Sequence, residues 1–154
     1  MIYSAVIVLD LLLAGTAIMG GVFVVPSLPR AWLAATPFNS YLFPALVLTL
    51  IGLMGLIGAI ELSFERPLGV VASFTAGIGI AAYEVVQIAV LTFGNWLQLV
   101  GVRAGLSVGA EAPALHTVMW VEPIYIAFGL ALASGTFVLY RQQARSGPAL
   151  PELR

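Results

Sequence analysis

Long apolar runs alternate with short polar or proline-bearing breaks along this chain. Four runs, at residues 2–25, 41–62, 68–93 and 117–140, contain no Lys or Arg and few acidic residues. A helix needs about 20 apolar residues to cross a hydrocarbon core of about 30 Å, and each run is that long. Backbone polar groups in hydrocarbon must be satisfied within the segment, so the runs are predicted as helices. Pro26, Pro29 and Pro37 punctuate the first connection, and Glu65-Arg66-Pro67 forms a short second turn. Residues 95–116 form a longer third connection. The pattern predicts an all-α integral membrane protein. A four-transmembrane-helix up-down bundle spans residues 1–140, and a polar cytoplasmic tail follows at 141–154.

The first run is expected to stay in place as a span. A secretory signal has a basic n-region and an unbroken apolar core. Here no basic residue precedes the run, and Asp10 interrupts it. Arginine placement sets the expected orientation. Arg66, Arg141, Arg145 and Arg154 fall on one side of four spans, and Arg30 and Arg103 on the other. The excess places both termini in the cytoplasm and the chain in the inner membrane.

Each span carries small residues four apart: Ala17/Gly21, Gly55/Ala59, Gly77/Ala81 and Gly129/Ala133. That spacing lets helix backbones approach closely in lipid. It predicts one closely packed bundle, with a dimer seam on Gly52, Gly55 and Gly58 as the alternative. The outer connections share Trp32 and Trp96, and the helices after them share Pro44 and Pro123 near their starts. This pairing hints at an internal repeat.

Composition narrows the function classes. The chain of 154 residues is 61% hydrophobic and 8% charged, with a mean hydropathy of +1.07. Soluble domains carry about 25% charged residues, so a soluble enzyme is excluded. A net charge of −1 gives no footprint for nucleic acid. The absence of Cys excludes disulfide and thiolate chemistry. No cofactor is expected.

Besides Glu61 at the inner end of the second run, three carboxylates fall within or at the edge of the spans: Asp10, Glu84 and Glu122. An Asp at a helix centre costs about 2.5–3.5 kcal/mol on insertion, so each is a candidate for function. Glu84 and Gln87 are three apart and share a helix face with Tyr83 nearby. They are either a hydrogen-bonded pair joining helices or a proton, cation or amine site. Asp10 lies about 12 Å and Glu84 about 24 Å from the inner helix ends, which argues against a dyad. Asp10 is expected to be structural, donating to a backbone carbonyl of a neighbouring helix. Glu122, just before Pro123, is expected at the outer start of the fourth helix, where the helix dipole favours an acid.

Arg103 is the one cation in the third connection and the natural partner for Glu84, Glu122 or Glu111. Trp96, Leu99 and Val100 fall at helical spacing there, as in a short interfacial helix. His116 stands alone, and no ligand spacing joins it to Glu111, so no metal site is expected. No phosphate-binding glycine loop, dinucleotide fingerprint or zinc-protease motif is present. The candidate ligand or proton site is therefore Glu84, Gln87, Glu122 and Arg103. Asp10 and Tyr83 are structural polar residues, and no catalytic residue is assigned.

The motifs Thr36-Pro37-Phe38-Asn39-Ser40-Tyr41-Leu42-Phe43-Pro44, Glu84-Val85-Val86-Gln87 and Glu122-Pro123-Ile124-Tyr125 resemble an uncharacterised family of small bacterial four-helix integral membrane proteins. The resemblance runs from Gly20 to Tyr140 and implies architecture without a reaction. Glu122 stands where that family more often has Gln, and the connection at 96–113 is longer here. A remoter similarity in size and plan is to DoxX-like proteins. The expected function is a non-enzymatic membrane-complex subunit or small-ligand binding module with a polar pocket in the outer half. The alternatives are a proton- or cation-coupled transporter and an intramembrane enzyme using Glu84 as acid/base on a lipid-soluble substrate. Expected partners are the lipid bilayer and a second copy or another membrane subunit, with no nucleic acid.

Overall fold

The computed structural model describes residues 2–28, 33, 38–103 and 115–146, with side chains at 2–28, 33, 38–90, 92 and 122–145. Four long helices account for nearly all of them. Helix α1 runs Ile2–Met19 and continues as one rod through a π-helical segment, Gly20–Val24, and a last turn, Val25–Ser27. Helix α2 spans Leu42–Ser63, α3 Pro67–Arg103 and α4 Leu115–Ser146. Stretches of all four are long and apolar enough to cross a membrane: Ile2–Ser27, Leu42–Ser63, Pro67–Val90 and Glu122–Arg145.

Local chemistry explains the breaks. Pro26 has no N–H to give the carbonyl of Val22, and its ring crowds that turn. The helix widens there, and the Val25 N–H reaches back five residues to the Gly20 carbonyl. Helix α2 stops in a Schellman motif. The Arg66 N–H bonds the Glu61 carbonyl at 2.9 Å, and the Glu65 N–H bonds the Leu62 carbonyl at 2.9 Å. Glu65 takes the left-handed conformation this needs, with φ 56°. Pro67 then opens α3, where its missing N–H would be unpaired in any case.

Consecutive helices pack side by side, and α1 touches α4 more lightly to close the ring. At the end holding both termini, Gln143 Nε2 donates to the Tyr3 hydroxyl at 2.8 Å. Arg66 pairs with Glu61 at 3.3 Å in the α2–α3 turn at the same end.

Side chains are distributed in the reverse of a soluble bundle. Ala14, Ala17, Ala59, Ala76, Ala81 and Ala133 are buried, while Leu11, Leu50, Val71, Val86, Ile124 and Leu130 stand on the outside. Small residues bring backbones together. A Cβ on Gly129 would lie 2.5 Å from the Gly77 carbonyl oxygen and 2.6 Å from Ile80 Cγ2. Gly52 and Gly55 lie against the backbone of α1, and Gly58 lies against Ser73 and Asp10. The glycine row of α2, the alternative dimer seam, is thus occupied within the chain.

Two expectations are corrected. The stretch from Asn95 to Arg103 is not a separate interfacial helix: it continues α3, which reaches 37 residues, or about 55 Å. Gly94 does not break it, and Trp96, Leu99 and Val100 keep the helical spacing of the same rod. Helix α4 begins at Leu115, so Glu122 lies in its third turn, away from the dipole at its start. Pro123 sits inside the helix and is exposed. This breaks the symmetry with Pro44, which lies in the first turn of α2. Helical structure also continues past Tyr140 to Ser146. Trp32, Glu111, the side chains of Trp96 and His116, and residues 147–154 lie outside the described residues.

Candidate functional site

Polar side chains are buried at two levels of the bundle. Several hydroxyls turn back on their own helix. Thr136 Oγ1 donates to the Leu132 carbonyl at 2.6 Å, Thr49 Oγ1 to Ala45 at 2.8 Å and Ser63 Oγ to Ala59 at 2.7 Å. A hydroxyl satisfied in this way has little left for another helix. Ser73 behaves differently.

The inner level joins three helices. Ser73 Oγ on α3 donates to Asp10 Oδ2 on α1, and both residues are fully buried. Gly58 of α2 backs the pair closely enough that a Cβ there would meet Asp10 Oδ2 at 3.1 Å. Asp10 Oδ1 is buried without a hydrogen-bond partner. Asp10 thus bonds the side-chain hydroxyl of Ser73, where a backbone carbonyl was the expected partner. The sequence reading missed Ser73, although a signal existed. Ser73, Ile80, Glu84 and Gln87 are spaced seven, four and three apart, which puts them on one helical face.

The outer level joins α3 and α4. Glu84 is 6% exposed and Glu122 3%. Gln87 Nε2 donates to Glu122 Oε1 at 3.0 Å. Glu122 Oε2 is buried with no partner among the described residues. Glu84 makes no hydrogen bond among the described residues, yet it lies within electrostatic reach of Glu122, and Tyr83 within reach of both. Glu84, Gln87, Glu122 and Tyr83 therefore come together.

Arg103 does not join them. It lies 19 residues beyond Glu84 on one continuous helix, about 28 Å along the axis, out of reach of its side chain. That side chain lies outside the described residues.

The two levels are separated by 11 residues of α3 from Ser73 to Glu84, about 16 Å. Leu13, Ala17, Ala76, Ile80 and Leu132 are buried in the core they share. Among the described residues no three His, Asp or Glu side chains converge as metal ligands would.

The architecture and the two polar levels define an all-helical chain with an apolar exterior and an acid-bearing interior. No protein-family model matches the chain, and no curated protein or solved structure matches it either.

Proposed function

We propose that this chain is a multi-pass protein of the bacterial inner membrane, folded as an up-down bundle with both termini in the cytoplasm. The exterior of large aliphatic residues, over a core in which Ala, Gly and buried acids sit among Leu, Ile and Val, supports membrane insertion, since lipid solvates the former and helix packing needs small residues. Arg66, Arg141 and Arg145 share one end, which supports the orientation. The resemblance to small bacterial four-helix membrane proteins agrees with that placement.

Within this frame the chain is a non-enzymatic binding module, or a subunit that presents such a module, with its pocket in the outer half. Glu84, Gln87 and Glu122 form it. The observation that carries the reading is the buried, unpartnered Oε2 of Glu122 beside a second buried carboxyl. Asp10 Oδ1 is likewise unpartnered, but the outer level differs in bringing two buried acids together. In a low-dielectric interior two charged carboxyls are costly, and either protonation or a compensating positive charge or donor from outside the chain relieves that cost.

The test is native mass spectrometry of the protein extracted with its own lipid, alongside Glu122→Gln. A bound small molecule or stoichiometric partner should accompany the parent and be lost from the variant. Identical composition for the two proteins would overturn the reading.

A further inference from the structure

The groups at the outer level name the chemistry of what they hold, an inference that rests on the pocket proposed above. One amide N–H of Gln87 donates to Glu122 Oε1, leaving its second N–H as a donor and its amide oxygen as an acceptor. Glu122 Oε2 has no partner among the described residues although the residue is only 3% exposed. Glu84 has both side-chain oxygens uncommitted to any hydrogen bond among the described residues. Acceptors therefore outnumber the donors left at this level, the second Gln87 N–H and the Tyr83 hydroxyl, and the two carboxyls can carry negative charge. A neutral ligand that itself brings acceptors would leave lone pairs facing lone pairs. A divalent metal ion needs about six oxygens, and with Glu122 Oε1 held by Gln87 four remain here. An ammonium group is compact, positively charged and brings three N–H donors.

We propose that the outer level takes the head group of a small protonated primary amine, its three N–H groups shared among Glu84, the free oxygen of Glu122 and the amide oxygen of Gln87. The charge of the ligand offsets the like charge of the two acids. Its N–H groups fill the unpaired acceptors, which no quaternary cation can do. The near-complete burial of both acids limits the head group to a small one.

The test uses the full chain in lipid nanodiscs with n-butylammonium as the probe. Tetramethylammonium, n-butanol and butyrate are the comparisons. The readouts are calorimetric affinity and the thermal unfolding midpoint. Butylammonium should bind saturably and raise the midpoint, and the other three should not. Glu122→Gln and Glu84→Gln should each weaken binding at least tenfold, while Glu61→Gln in the inner turn leaves it unchanged. If one of the two Gln variants fails to fold, the other carries the test. Equal binding of tetramethylammonium or butanol would overturn the ammonium assignment, as would undiminished binding in the Gln variants. A different class of molecule found on the parent protein but not on Glu122→Gln would overturn the assignment and keep the pocket. No bound species and no response to the amine would overturn both.

Discussion

Replacing Gly129 with Ala should spread α3 from α4 and loosen the carboxylate level above their crossing. The added Cβ would sit 2.5 Å from the Gly77 carbonyl oxygen, 2.6 Å from Ile80 Cγ2 and 3.1 Å from the Ala81 nitrogen. The first and last are backbone atoms, so no side chain can rotate to make room. Favourable contact lies at about 3.5–4.0 Å, so the 2.5 Å approach must open by about 1–1.5 Å. A gap of even about 0.5–1 Å forfeits about a quarter to a half of each dispersion contact along the seam. Ile80 and Leu132, both fully buried, sit on these two helices. The expected cost is about 1–3 kcal/mol, the range for overpacked cores. The same displacement would stretch the 3.0 Å Gln87–Glu122 hydrogen bond past its useful length. Gly15→Ala is the matched control, because a Cβ there meets nothing within 4 Å. It should be neutral or gain up to about 1 kcal/mol from helix propensity. Reversible denaturant unfolding in mixed micelles, followed by circular dichroism, reads both variants. Gly129→Ala as stable as Gly15→Ala would refute the close crossing.

Other consequences are open to the same assay or to labelling. Ser73→Ala removes the one side-chain hydrogen bond that Asp10 makes among the described residues and should destabilise by about 1–3 kcal/mol. Combining it with Asp10→Ala should cost less than the two changes added, and strict additivity would count against the pair. Glu65→Gly relieves a left-handed residue in the α2–α3 turn and should stabilise by about 1 kcal/mol, so a loss of stability there would contradict the Schellman geometry. A single cysteine in place of Glu65 should react with an impermeant thiol reagent only after the inner face is opened, and labelling in intact cells would reverse the orientation.

The four spans and the turn at Glu65-Arg66-Pro67 were legible because hydropathy and proline act locally. The shared face of Glu84 and Gln87 was legible from spacing alone. Helix ends were harder. Pro123 resembles a start signal, but α4 runs through it, so Glu122 lies in the third turn. Gly94 resembles a stop, yet one glycine costs only about 1 kcal/mol in a helix and α3 continues past it. Ser73 escaped notice because a lone hydroxyl in an apolar run usually bonds its own helix, and only the neighbouring Asp10 of α1 shows otherwise. The pairing of Gln87 with Glu122 depends on how α3 and α4 align, which no spacing along either helix encodes.

The length of α3 makes it a lever. It packs tightly on α4 at Gly77, and Arg103 lies 26 residues further along, about 39 Å from that crossing. Glu84 lies only 7 residues away, about 10 Å. Tilting the rod about 10° at the crossing would carry its far end about 7 Å while moving Glu84 by less than about 2 Å. A slight rearrangement around the two acids is therefore magnified roughly fourfold at the tip of the helix, and a push on the tip reaches the acids reduced by the same ratio.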